Sequence, residues 1–325
     1  MLNFCTLFDS NYLPRALAMY ESLKRHNRNF HLYVFAFDDK CYDVLNQLSL
    51  EFVTTISLKE FEDEELLKIK NTRSAGEYCW TCTPSIIKYI IEKYNAESCT
   101  YLDADLYFFS DPSVLIEEMG SKSVLITEHR YTPKYDRCST SGIYCVQFMT
   151  FKNDANGMRV LNWWRNACNE WCYARYENGK FGDQKYLDHW PTQFEGIHVL
   201  QHLGGGLAPW NVQQYDFENI SEKMYGTEHS TQQRFEVVFY HFHALKFSGE
   251  TTCFLGAYAI NTQVKKLFYH TYVKKMKEVF DKIIPYGITM KIENISPEKN
   301  WTYPLKILKR ILFYSKNFYP MKEFT

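Results

Sequence analysis

The stretch Leu2-Asn3-Phe4-Cys5-Thr6-Leu7-Phe8-Asp9-Ser10-Asn11 opens the chain and decides how the rest is read. It is apolar from Leu2 to Phe8 and stops at a turn signal, Asp9-Ser10-Asn11, so a strand is expected there. Downstream, apolar residues recur at Leu13, Ala16, Leu17, Tyr20 and Leu23, one face of a helix, with Pro14 in its first turn. Phe30 to Phe37 reads as a second strand stopped by Asp38-Asp39. Tyr42, Leu45 and Leu48 mark a second helix, and Phe52 to Ile56 a third strand. This strand-helix-strand-helix-strand opening predicts an α/β fold with a parallel sheet and right-handed crossovers. Such sheets take ligands in the crevice at the carboxyl ends of their strands.

Further along, Thr83-Pro84 signals a helix start, and Ile86, Ile87, Ile90, Ile91 and Tyr94 give that helix its apolar stripe. Cys99-Thr100-Tyr101-Leu102 then reads as a buried strand ending in Asp103-Ala104-Asp105. Pro112 opens another helix, Val124 to Thr127 and Ile143 to Phe151 look like strands, and an amphipathic helix with Trp163, Trp164 and Trp171 begins near Asp154. No repeat or low-complexity linker interrupts this part. The expectation is one domain over 1–260 and a helical C-terminal appendix over 261–325, with a basic, aromatic tail from 304.

With 325 residues, 46% hydrophobic and 23% charged, the composition is that of a folded soluble protein. The 37 basic and 38 acidic residues nearly cancel, which argues against a nucleic-acid partner. No apolar run reaches the roughly 20 residues of a membrane helix. Met1-Leu2-Asn3-Phe4-Cys5 lacks a basic, signal-like start, so a cytoplasmic chain is expected. The 10 cysteines include Cys79-x-x-Cys82 and Cys168-x-x-x-Cys172. A structural zinc would need both pairs to converge, and the expectation is reduced thiols used in packing.

The strand ending in Asp103-Ala104-Asp105 carries the chemistry. Two hard oxygen ligands suit Mn²⁺ or Mg²⁺, and such ions bridge a diphosphate. Alone the pattern is common, so its context matters. At the end of the first strand, Thr6, Asp9 and Tyr12 lie where a base and ribose would sit. Asp9 could accept a hydrogen bond from a base N–H and Tyr12 could stack, or Asp9 could simply cap the helix. Phe239-Tyr240-His241-Phe242-His243-Ala244-Leu245-Lys246 places His241 and His243 on one face of an expected strand. An imidazole can complete a metal sphere, and Lys246 can hold a diphosphate. Phe181-Gly182-Asp183-Gln184-Lys185-Tyr186 offers a carboxyl and an amide to sugar hydroxyls. In Gly204-Gly205-Gly206-Leu207-Ala208-Pro209-Trp210-Asn211, glycines allow close backbone approach and Trp210 offers a sugar platform.

In order and content these blocks resemble the retaining glycosyltransferases of the glycogenin and bacterial lipopolysaccharide galactosyltransferase group, which have a GT-A fold. They look more similar still to uncharacterised bacterial relatives bearing Tyr-Leu-Asp-Ala-Asp, Asp-Gln-Lys-Tyr-Leu-Asp, Ala-Pro-Trp-Asn and His-Phe-His. The resemblance covers roughly residues 1–250. It implies a GT-A, Rossmann-like sheet with flanking helices and metal ligation by Asp103, Asp105 and a histidine of the late motif. His241 holds the family's position, and His243 stays open because Ala244 and Phe247 depart from the pattern. Asp183 and Gln184 match the block lining the transferred sugar or acceptor and are the expected catalytic pair. Thr6, Asp9, Tyr12, Ala104 and Lys246 are expected at the donor. Pro84-Ser85 replaces the family's Thr-Lys, which leaves Arg73 and Lys88 as expected donor cations. Gly205, Trp210, Asn211 and His243 are expected at the acceptor or sugar.

The expected activity is metal-dependent transfer of a hexose from a UDP-sugar to a carbohydrate or lipid-linked glycan acceptor. The competing readings are a sugar- or nucleotide-binding protein with a degraded site, and a nucleotidyltransferase. The latter lacks its glycine-rich basic loop, and no His-Glu-x-x-His pattern supports a zinc hydrolase. Pro304 to Lys322 mixes Lys306, Lys309, Arg310 and Lys316 with Leu305, Ile307, Leu308, Ile311, Leu312, Phe313 and Tyr314. That composition suits either a docked helix or one lying on an anionic bilayer, the inner face of the plasma membrane.

Overall fold

The computed structural model describes residues 1–247 and 252–289, and the backbone of 318–320. The chain begins β1 (Leu2–Phe8), α1 (Leu13–His26), β2 (Phe30–Ala36), α2 (Asp39–Leu48) and β3 (Val53–Ser57). Two short helices, α3 (Leu58–Phe61) and α4 (Glu64–Lys70), lead to the long α5 (Ala75–Lys93). Then come β4 (Ser98–Leu102), β5 (Leu106–Phe108), α6 (Ser113–Glu118), β6 (Val124–Glu128), β7 (Tyr144–Lys152) and α7 (Ala155–Glu170). After α8 (Trp190–Gln193) and β8 (Ile197–Val199), a small antiparallel sheet forms from β9 (Tyr215–Ile220), β10 (Lys223–Glu228) and β11 (Arg234–Glu236).

The central sheet has seven strands in the order β3-β2-β1-β4-β7-β6-β8. β1 pairs in parallel with β2 and β4, β2 with β3, and β6 with β8, while β7 runs antiparallel between β4 and β6. Apolar residues cover both faces. On one, Leu13, Leu17, Tyr20 and Leu23 of α1 and Val44 and Leu45 of α2 pack with Phe4, Leu32 and Phe148. On the other, Ile86, Ile87 and Ile90 of α5 and Leu161 and Trp164 of α7 pack with Cys5, Phe35 and Met149. Burial at about 25 cal/mol per Å² of apolar surface is the main term holding these layers.

The helix expected to start at Thr83-Pro84 starts instead at Ala75. Ser74 and Glu77 form a reciprocal capping box, with the Ser74 N–H bonded to the Glu77 carboxylate at 2.8 Å. Pro84 lies inside the helix, where the missing N–H and ring cost about 3 kcal/mol. The apolar burial of Ile86, Ile87, Ile90 and Ile91 outweighs that cost. Cys82, Cys168 and Cys172 are buried in the same layer and all ten cysteines are unbridged thiols. Burial pushes the Cys79 thiol up to about 12, and no cysteine joins a metal-competent group among the described residues.

The late part of the chain closes one end of the sheet. β12 (Phe239–His241) pairs antiparallel with β5, and β13 (Lys246–Phe247) with β14 (Thr252–Phe254). Asn261 caps α9 (Thr262–Val264), which continues through a π-helical turn into α10 (His270–Ile283). Val279 and Ile283 of α10 enter the core beneath α1, and Lys282 pairs with Glu21 at 2.9 Å. β15 (Phe318–Pro320) adds an edge beside β14, so the end of the tail is strand where a helix is expected. The rest of the basic, aromatic segment lies outside the described residues. Among the described residues, no helix is long and apolar enough to cross a membrane.

Candidate active site

β4 delivers Asp103 and Asp105 to the carboxyl end of the sheet, at the turn into β5. The antiparallel pairing of β5 with β12 sets Leu106 opposite His241. Phe242 N–H donates to the Asp105 carbonyl at 3.0 Å, and His241 N–H to the Leu207 carbonyl at 2.8 Å. His241 Nε2 therefore sits 3.0 Å from Asp105 Oδ1 and 3.7 Å from Asp103 Oδ2. One ligand atom from each of the three lies within 4.8 Å of the others. Two carboxylate oxygens with one imidazole nitrogen could hold a divalent cation.

Neighbours aim these ligands. Gln147 Oε1 accepts from His241 Nδ1 at 2.8 Å, which leaves Nε2 toward the carboxylates. The Gln147 carbonyl also accepts the Asp103 N–H, and the Tyr101 hydroxyl donates to Asp103 Oδ1 at 2.8 Å. Burial would raise the Asp105 carboxyl, but the charge of His241 and its hydrogen bond hold it at about 2. Burial raises Asp103 and the Asp105 charge adds to it, against the pull of His241. His241 itself rises well above the usual imidazole range, because Asp105 outweighs the burial cost.

Asp183 is buried, and its carbonyl accepts the Trp164 indole N–H at 2.9 Å. Burial first, then the Asp103 charge, push its carboxyl to about 8. Asp183 thus sits within electrostatic reach of the Asp103 pair, while Gln184 donates to the Ser141 carbonyl at 2.6 Å.

The glycine run serves this chain's own packing. A Cβ on Gly204 would stand 1.9 Å from the Glu236 carbonyl, and one on Gly205 2.7 Å from Leu200. Gly205, expected at the acceptor, is thereby a packing residue. Asn211 departs similarly: it is buried, its amide donates to the His129 and Gly206 carbonyls, and its Oδ1 accepts the Ala208 N–H. Trp210 is buried with its N–H on the His129 carbonyl, so it forms a wall more than an open platform. Its ring stands edge-on to His241 and His243 at 5.5 and 5.3 Å. His243 does not share a strand face with His241. β12 ends at His241, and the chain turns through Ala244 at φ +62°.

Around the first strand, Thr6 is fully buried and its hydroxyl has no hydrogen-bond partner among the described residues. Asp9 accepts the N–H groups of Asn11 and Tyr12, both at 3.1 Å, so it builds the turn into α1. Tyr12 is 42% exposed and Ala104 is buried in the core beneath. Lys246 begins β13. Arg73 and Lys88, the expected donor cations, are engaged elsewhere. Arg73 stacks on Tyr173 and donates to its hydroxyl and to the Asn169 carbonyl, while Lys88 bonds Glu92 and Asn162.

Reading the sequence missed Gln147 and Tyr101, which hold the metal-competent side chains in place. Gln147 left a signal, a single amide within the apolar run Val146 to Met149.

The protein YfnD of Bacillus subtilis is 32% identical over 290 residues, 86% of this chain and 90% of that protein. YfnF of the same organism is 30% identical over 247 residues, 74% and 80% respectively. The chain belongs to their family. Both family members are described as uncharacterised, and no family model matches the chain. Among solved structures, the galactosyltransferase LgtC, in complex with donor and acceptor sugar analogs, superposes with a TM-score of 0.53. The match is 10% identical and covers 92% of this chain and 98% of that one. At that identity it speaks for the fold, which is GT-A.

Proposed function

We propose that the chain is a metal-dependent hexosyltransferase. It moves a sugar from a UDP-sugar donor to a hydroxyl of a carbohydrate or glycolipid acceptor, with retention, in the assembly of a cell-surface polysaccharide. The observation that carries this reading is the convergence of Asp103, Asp105 and His241 at the carboxyl end of β4 in a GT-A sheet. Those residues would hold Mn²⁺ or Mg²⁺, which neutralises charge on the departing nucleoside diphosphate.

The chain's own groups divide the remaining work. Lys246 meets the diphosphate, and Thr6, Asp9 and Tyr12 frame the nucleoside end of the cleft. Asp183, protonated at neutral pH, presents a carboxyl that can donate a hydrogen bond to a sugar hydroxyl. The departing phosphate takes the acceptor proton, so no side-chain base is required. His243 and the edge of Trp210 border the acceptor side.

The test is a donor screen on the purified chain with Mn²⁺ and a panel of nucleotide sugars, reading release of nucleoside diphosphate. The expected result is turnover of one UDP-hexose, lost in EDTA and in Asp105→Asn. Nucleotide binding without turnover of any donor or acceptor would favour a binding protein with a degraded site. Silence together with no nucleotide binding would refute the metal–diphosphate reading.

A further inference from the structure

Arg15 stands in the first turn of α1, only 8% exposed. Its Nη2 donates to the Leu245 carbonyl at 2.9 Å. The guanidinium carbon is 4.7 Å from the centre of the Tyr12 ring and 5.7 Å from that of Phe247. It is thus held between the loop after β1 and the start of β13. Among the described residues it forms no ion pair and no second hydrogen bond. A guanidinium has five N–H donors in a fixed fork, so most of this one's capacity is unspent.

Burying a cation with no ion pair is costly, and the N–H donors left over can be met by an anionic ligand. The surroundings say which anion. Arg15 acts electrostatically on Asp105, and the buried Tyr272 feels Arg15, Asp105 and Tyr12 together. Arg15 therefore stands within electrostatic range of Asp105. Its partner Leu245 precedes Lys246, and Phe242 of the same turn donates its N–H to the Asp105 carbonyl. The 242–247 segment thus ties the Arg15 guanidinium, through Leu245, to the strand end that carries the carboxylates, through Phe242, and puts Lys246 next in the chain, a combination of charges suited to a bridging diphosphate.

We propose that Arg15 binds the diphosphate of the donor, in the role for which Arg73 and Lys88 were expected, while its bond to Leu245 holds the 242–247 loop around that group. The proposal rests on the glycosyltransferase reading. It adds a residue, and it separates the phosphate-binding cation from the α5 helix that carries Lys88.

The test is calorimetry with Mn²⁺ present. The wild-type chain is titrated with UDP, GDP, ADP and CDP, and Arg15→Met and Arg15→Lys are compared on the best of these and on its nucleoside. A charged hydrogen-bond partner lost from a phosphate lowers affinity roughly 10- to 100-fold. Arg15→Met is expected to lose that much for the diphosphate and less than about twofold for the nucleoside, with Arg15→Lys between. Parallel weakening of both ligands would reduce Arg15 to a loop-holding residue and overturn the proposal. So would an unaltered diphosphate affinity. Should the Met variant fail to fold, Arg15→Lys decides by the same comparison. A wild-type chain that binds none of the four diphosphates would sink the glycosyltransferase reading and this proposal together.

Discussion

Asp183 offers a direct measurement of how far the site is strained against folding. Its carboxyl stands at about 8 in the folded chain against an ordinary 3.8, through burial and the nearby Asp103 charge. In the unfolded chain it loses its proton near pH 4; in the folded chain it keeps it until about 8. The folded state therefore binds one proton more across that window, and stability falls as pH rises, by about 1.4 kcal/mol per unit. Above about 8 the loss is complete and stays level. Asp183→Asn is close to isosteric, keeps a hydrogen-bonding group and removes the titration. Between pH 5.5 and 7.5 the stability of the variant relative to wild type should rise by about 2.5 kcal/mol. Urea unfolding of both proteins in EDTA at five pH values reads this, since groups that do not interact with Asp183 cancel in the difference. Unfolding curves that stay parallel over the whole range would show Asp183 ionised and solvated, and would refute the reasoning. The same substitution keeps a side-chain hydrogen-bond donor at this place, so sugar transfer should be lowered without being abolished, and a stabilised but slower variant is the expected pair of outcomes.

Asp105→Asn should weaken Mn²⁺ binding by more than about 100-fold and abolish donor turnover, as read by calorimetry and nucleotide release. Gln147→Leu removes the acceptor on His241 Nδ1 while leaving all three ligands in place. It should lower Mn²⁺ affinity about 10- to 100-fold, and unaltered affinity would show that β12 alone aims the imidazole. Gly204→Ala forces a methyl onto the Glu236 carbonyl and should cost about 2–4 kcal/mol in denaturant unfolding, with metal affinity retained. Ser74→Ala should cost about 1 kcal/mol by breaking the capping box of α5, again read by unfolding.

What could be read from the sequence follows from which interactions are local. The alternation of strands and helices through β3 is written in short periods, so it was legible, and so was the strand-end position of Asp103 and Asp105. The helix α5 was misplaced because Pro84 is a strong signal and Ser74-x-x-Glu77 a quiet one. Burial on both sides of the helix lets it run through the proline, and no periodicity announces that. The glycines at 204–206 were read as room for a ligand, yet their neighbours are Glu236, Leu200 and Thr127, which only the folded chain brings there. The same limit applies to the late motif. An alternating pattern gave His241 and His243 one face, but pairing with β5 ends at His241 and the chain turns at once. Nonlocal pairing is thus what brings His241 to the two carboxylates, since residue 106 and residue 241 meet only through the sheet. Arg15 marks the far end of this scale. A charge near a helix start is normally assigned to solvent, and α1 is buried from Leu13 to Tyr20 by the sheet on one side and the late chain on the other. Only that double covering turns an ordinary helix arginine into a buried cation held against residues 245–247. The candidate site is then set as much by residues 239–247 folding back over α1 as by any motif.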